Sequence, residues 1–235
     1  MTLAPRFCSA LMTIVVVNSI GAAAMAQDLV VLESRGTNLR PGQTVNSAQP
    51  LSLKQGQHLT LISPTGVTLK LDGPYAKAPG NDQGRGTPVA SALSMLVTQR
   101  QARLGEVGTT RGAAPSTLPD PWLLDASRTG TVCLQEGATA VLWRPDSSAM
   151  ANLAVMPADR SWRADTNWPA GADRITTSAQ VPIRAGATYL LNLNGAQASL
   201  TVTAVPAALT SDDARVSWMA QKGCLSQAEA LLKFR

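Results

Sequence analysis

Short apolar alternations, cut at close intervals by glycine and proline, set the first limit on how this chain can fold. In the first half they read Leu29-Val30-Val31-Leu32, Leu51-Ser52-Leu53, His58-Leu59-Thr60-Leu61-Ile62 and Val67-Thr68-Leu69-Lys70-Leu71, and the breaks fall at Pro41-Gly42, Gln55-Gly56, Thr65-Gly66 and Gly73-Pro74. A period of two sends successive side chains to opposite faces of a strand, while glycine supplies positive φ and proline presets a turn. Short strands are expected, with a hairpin across Ser63-Pro64-Thr65-Gly66 whose buried face is Leu59, Leu61, Val67, Leu69 and Leu71. Beyond Trp122 the pattern returns at 131–134, 139–143, 152–155, 160–163, 175–178, 188–193 and 199–205, a spacing that suggests a sandwich.

The start of the chain bears on compartment. Arg6 precedes an apolar run over 10–17, and small residues follow through Ala22, Ala23, Ala24 and Ala26, with Ala24-Met25-Ala26 fitting the small-x-small cleavage rule. Residues 1–26 therefore read as a secretory signal, leaving a mature chain from Gln27 that is periplasmic or secreted. The run is short of the roughly 20 apolar residues of a membrane span and no later run is longer, so no transmembrane anchor is expected. Cys8 lies ahead of the apolar core behind Pro5-Arg6-Phe7, which is not a lipidation pattern, and should leave with the signal. Of the three cysteines this leaves Cys133 and Cys224. An even pair in an oxidising compartment points to a disulfide.

Lys and Arg total 20 against 15 Asp and Glu, and one of that excess is Arg6. The basic residues do not cluster, and Arg85, Arg100, Arg103 and Arg111 read as a solvated surface, so nucleic acid is not an expected partner.

The glycine and leucine spacing of Gly36-x-x-Leu39-x-x-Gly42, Leu51-Ser52-Leu53-x-x-Gly56-x-x-Leu59-Thr60-Leu61 and Gly66-Val67-Thr68-Leu69-x-Leu71-x-Gly73-Pro74 resembles FecR-like periplasmic domains. The resemblance implies a module of stacked short strands over 27–78 serving signalling or partner recognition in the envelope. It does not carry over control of a sigma factor, because the cytoplasmic tail and transmembrane helix of the signalling members have no counterpart here. The segment from Val181 to Leu193 resembles the approach to the late strands of immunoglobulin-like and fibronectin type III domains. That resemblance implies that Tyr189 bonds back to the chain at the corner.

Between these parts, 79–121 reads as a linker. Gly, Pro, Asn and Asp dominate 79–88, and Gly108, Gly112, Pro115, Pro119 and Pro121 punctuate 105–121. Val89, Ala92, Leu93, Leu96, Val97 and Leu104 recur at helical spacing, predicting an amphipathic helix over 89–104 that either covers a β unit or docks a partner. The end of the chain, within a unit spanning 122–235, predicts a helical hairpin over 211–233. Thr210 with Asp213 has the form of a cap, Gly223 is the stop, and Ser226 with Glu229 reads as a capping box. Cys224 sits between the two helices, so a bond to Cys133 would pin the hairpin to the sandwich.

Catalytic groups are scarce. His58 is the only histidine and lies in an alternating strand without an acidic neighbour in sequence. One histidine and two bonded cysteines do not make a transition-metal shell, and Gly80-x-x-x-Gly84-x-Gly86 lacks the lysine of a phosphate loop. No cofactor, metal or catalytic residue is assigned, and a carboxylate-dependent hydrolase is left as a minor alternative. All five tryptophans, Trp122, Trp143, Trp162, Trp168 and Trp218, fall in the second half. Trp218 is expected to be buried against the sheet. Trp162 and Trp168, flanked by Arg160 and Arg163, are either core residues or an exposed platform for sugar or peptide.

The expectation is thus a mainly β protein with a few helices: a small FecR-like β unit, then a β-sandwich capped by a C-terminal helical hairpin. It would be an exported, non-catalytic binding or scaffolding module, its partner another envelope protein or, alternatively, a glycan.

Overall fold

The computed structural model describes residues 27–88, 93, 118–178 and 181–234. Residues 1–26, read as a signal, and the helix expected over 89–104 lie outside the described residues, save for Leu93. The chain is mainly β, and its N-terminal unit is an antiparallel sheet of β2 (Thr44–Asn46), β1 (Asp28–Arg35), β4 (His58–Ile62) and β5 (Thr68–Asp72), in that order. The β4–β5 hairpin forms across the expected turn, with Leu59 opposite Leu71 and Leu61 opposite Leu69. Val67 lies just before β5, half-buried and outside the leucine cluster of the sheet. A two-stranded ribbon of β3 (Leu51–Leu53) and β6 (Tyr75–Lys77) contributes Leu53, Leu51 and Tyr75 to that cluster. Gly73 is required between β5 and β6, since a Cβ there would lie 1.8 Å from the Lys54 carbonyl oxygen.

The second unit is a β-sandwich. One sheet runs β11 (Ala164–Trp168), β10 (Ala151–Pro157), β13 (Thr188–Leu193), β14 (Ala196–Val205) and β8 (Gly130–Gln135); the other runs β12 (Arg174–Thr176), β9 (Val141–Trp143) and β7 (Leu123–Asp125). Leu124 and Leu142 from the smaller sheet meet Val132, Leu153, Val155, Leu191, Leu200 and Val202 from the larger one. Residues 139–140 and 177–178 fall outside β9 and β12, and two strand expectations need larger correction. Residues 160–163 form the loop between β10 and β11, where Arg160 adopts φ 57° and Asp159 Oδ1 accepts a hydrogen bond from the Ser161 N–H. β14 begins at Ala196 rather than 199, because Asn194 (φ 50°) and Gly195 (φ 89°) make a two-residue turn closed by the Leu193–Ala196 pair.

Tyr189 does bond back at the corner: its hydroxyl donates to the Pro182 carbonyl (2.9 Å) and accepts from the Arg184 N–H (2.8 Å).

Helix α1 (Asp212–Gln221) and helix α2 (Leu225–Lys233) form the expected hairpin. Ser211, not Thr210, is the N-cap of α1, its hydroxyl accepting from the Ala214 N–H. Gly223 (φ 86°) ends α1 in a Schellman arrangement, with the Cys224 N–H on the Met219 carbonyl and the Gly223 N–H on Ala220. Cys224 therefore becomes the N-cap of α2, and Ser226 falls inside its first turn rather than heading a capping box. The Cys133–Cys224 disulfide forms at this elbow, with a Cα–Cα distance of 5.8 Å.

The hairpin covers more than the sandwich. Val216, Trp218 and Met219 share one cluster with Val30, Leu32 and Ile62 of the N-terminal sheet and with Cys133 and Val205 of the larger sheet; Leu93 is buried in it too. The Leu29–Leu32 run is apolar at every position because β1 is buried on both faces, against its own unit and against α1. Polar ties follow the same seams. Lys222 Nζ donates to the Leu32 carbonyl (3.0 Å), the Thr68 and Ser217 hydroxyls pair (3.1 Å), and the Trp218 indole N–H donates to the Ala204 carbonyl (2.8 Å).

Candidate binding surface

The five-stranded sheet has one face in the sandwich core and an outer face whose two ends differ. At the β8 end the outer face lies under the helical hairpin, through Cys133 and Val205. The free backbone edge of β8 is closed as well: the Gln227 side chain accepts from the Cys133 N–H (2.6 Å) and donates to the Cys133 carbonyl (2.7 Å), as a neighbouring strand would. This explains why a glutamine is 2% exposed in the core.

At the β10–β11 end no described element covers the outer face. The register sets its side chains in rows. Asn167 stands opposite Asn152, with Asn194 at the adjoining turn. Asp165, Ala154, Asn192 and Gln197 form the next row across four strands. Met156, Leu190 and Ser199 form the third, and Thr188 and Thr201, whose hydroxyls pair at 3.1 Å, the last. Ala154 is the small residue in the middle, so the rows dip there. Asn192 and Asn194 each spend their side-chain oxygen on a backbone N–H of the turn and neighbouring strand, leaving their NH2 groups to solvent. The side chains of Asn152, Asn167 and Gln197 have no hydrogen-bond partner among the described residues and face outward.

Of the residues picked out in sequence, Arg160, Trp162 and Arg163 line one groove along this face with Met156, Leu190 and Asn192. Trp162 is half-buried, its ring 6.1 Å from that of Tyr189. Arg163 grips Asp165 with two short hydrogen bonds, Nε–Oδ2 at 2.8 Å and Nη2–Oδ1 at 2.7 Å. The pair holds the Asp165 carboxyl below its usual range and raises the Arg163 guanidinium, each because the hydrogen bonds favour the charged form. Arg160 has no such partner among the described residues.

Trp168 does not join them: of the two alternatives it takes the core position, which removes the paired tryptophan platform. It is the last residue of β11, points into the core and is 0% exposed. The buried Arg144 guanidinium lies 5.1 Å from its ring centroid and donates to the Ala172 and Pro169 carbonyls, while the Trp168 indole N–H has no hydrogen-bond partner among the described residues. Period two decides the matter: Trp168 pairs with Ala151, an inward position of β10.

Sequence reading missed Asn152, Asn192, Asn194 and Gln197. The signal was present only as single polar residues at outward positions, Asn152 in β10, Asn192 in β13 and Gln197 in β14, and in Asn194-Gly195, the dipeptide of a tight hairpin.

His58 acquires a neighbour that sequence distance concealed. Its Nδ1 lies 2.5 Å from Asp72 Oδ1, because β4 and β5 pair these positions, and both side chains are exposed. Glu33, Arg35, Thr60 and Lys70 surround them on the outer face of the N-terminal sheet. Among the described residues no three His, Cys, Asp or Glu side chains converge as a metal site would need, and no helix is long and apolar enough to cross a membrane.

No protein-family model and no curated protein matches this sequence.

Proposed function

We propose that the protein is an exported, non-catalytic binding or scaffolding module of the cell envelope, which holds another envelope component against the open outer face of its five-stranded sheet. The observation that carries this reading is the contrast on that one face. The β8 end is buried under a disulfide-locked hairpin, whereas the β10–β11 end presents amide groups, of which Asn152 and Asn167 have no side-chain hydrogen bond among the described residues. A buried disulfide and the signal-like 1–26 segment support export, since such bonds persist in oxidising compartments. The FecR-like reading of 27–78, a partner-recognition module, belongs to the same proposal. The hairpin ties that unit to the sandwich, so that both would be presented as one body.

The test is site-directed photo-crosslinking in the native envelope. A benzophenone amino acid at Asn192 should capture a component that the same probe at Lys70, on the N-terminal sheet, does not. Equal labelling from both positions, or none from Asn192, would remove the open face as the recognition surface. N-terminal sequencing of the exported chain should begin at Gln27.

A further inference from the structure

We propose that the open face binds a glycan, laid as an extended and largely uncharged chain across the rows from Asn167 to Gln197 with one sugar ring against Trp162. This deepens the reading above and rests on the same face being the recognition surface.

A side-chain amide presents a donor and an acceptor in one plane, and a sugar hydroxyl is itself both donor and acceptor, so an amide meets one hydroxyl or two adjacent ones without leaving a group unpaired. Asn152, Asn167 and Gln197 keep both functions free, and Asn192 and Asn194 keep their NH2 donors. The Thr129 and Ser199 side chains extend the polar lining toward β8. Strand spacing of about 4.8 Å repeats these groups at the scale of one sugar ring.

Charge and apolar content narrow the ligand. Asp165 within the rows is neutralised by its bidentate pair with Arg163, so the one charge of the groove left without an ion-pair partner among the described residues is Arg160, at the Trp162 rim. A polyanion would gain little there, and its binding would be screened by salt. A protein interface of ordinary size centres on a cluster of aromatic and aliphatic anchors. Here the apolar side chains are Met156, Leu190 and Trp162, set to one side of the amide rows rather than at their centre. Trp162 offers a half-buried ring at the rim, an apolar surface suited to the C–H face of a sugar, and its packing on Tyr189 fixes it before binding. The dip at Ala154 leaves room for a substituent between Asp165 and Asn192.

The experiment titrates the full exported chain with three defined probes, cellohexaose, chitohexaose and polygalacturonate, by calorimetry at low and high salt and by tryptophan fluorescence. Saturable binding of at least one neutral hexasaccharide, unchanged by salt and weakened about tenfold by Gln197→Ala or Asn167→Ala, is the expected result; about tenfold corresponds to one lost hydrogen bond. Both positions are exposed, so these variants should fold. Trp162→Phe should remove the fluorescence change. Binding of neither hexasaccharide, or binding of polygalacturonate alone with loss at high salt, overturns the glycan proposal. Capture of a polypeptide by the probe at Asn192, without sugar binding, also overturns it while leaving the face as the recognition surface. Absence of both sugar binding and crosslinking removes the two together.

Discussion

The two ends of the five-stranded sheet's outer face share one architecture and have opposite fates. At the β8 end, outward positions carry Cys133 and Val205, which are buried, and the hairpin that buries them reaches on to the N-terminal sheet. At the β10–β11 end, outward positions carry Asn152 and Asn167, which are exposed, as is Gln197 where β14 begins. The backbone is equally regular at both. What differs is side-chain chemistry: apolar atoms are driven under a helix by transfer out of water, whereas an uncompensated amide resists burial. One end is built to hold the molecule together and the other is left available.

Replacing both Cys133 and Cys224 by serine should break this contrast most severely. The bond closes a loop of 91 residues, for which the chain-entropy model gives about 4–5 kcal/mol. Denaturant unfolding should show a loss of that order, and reductant should reproduce it in the parent protein. Next in size is Gln227→Leu. It leaves the Cys133 N–H and carbonyl buried without partners, and should lower stability by about 2 kcal/mol. Gln227→Glu at low pH, where the protonated acid again offers one donor and one acceptor, should recover part of it.

Tyr189→Phe sharpens the comparison from within the sandwich. The hydroxyl ties Pro182 and Arg184 to β13, and its loss should cost about 1 kcal/mol in the same assay. At the open end, Asn152→Ser and Gln197→Ala should change stability by no more than about 0.5 kcal/mol. A larger loss there would mean that the face is structural, and the distinction between the two ends would fail.

Alkaline titration separates the N-terminal unit from both. Burial and the hydrogen bond to Asp82 push the Tyr75 hydroxyl up to about 12 from 10.0. A raised value stabilises the neutral form, so this contribution is present below pH 10 and is lost as pH rises toward 12. Tyr75→Phe should flatten the stability decline over that window, measured by denaturant midpoint.

Much of this fold was legible from local pattern alone. The alternations at 51–53, 58–62 and 188–193 return as strands with those same bounds, because a period of two with turn residues at either end is a local property. The disulfide followed from compartment and count, and the Gly223 stop from the need for positive φ. Local signals failed where two reasonable choices lay side by side. Thr210 and Ser211 both make N-caps, and the tertiary packing of Ser211 against the Pro64 carbonyl selected the second. The strand expected at 160–163 has the right residue types, yet the chain turns there and β11 follows, bringing Trp168 into the core.

The open face was beyond such reading for a further reason. Asn167, Asn152, Asn192 and Gln197 come from four strands, and only the register of β11, β10, β13 and β14 brings them into rows. His58 and Asp72 met in the same way. Adjacent residues or a count carried what is local: the bounds of β3, β4 and β13, the turns beside them, the stop of α1 and the even cysteine pair. Tertiary structure alone decided which polar alternate positions would be covered by the hairpin and which would be left to solvent. Burial depends on what packs from elsewhere in the chain, and that information is not held in any one strand.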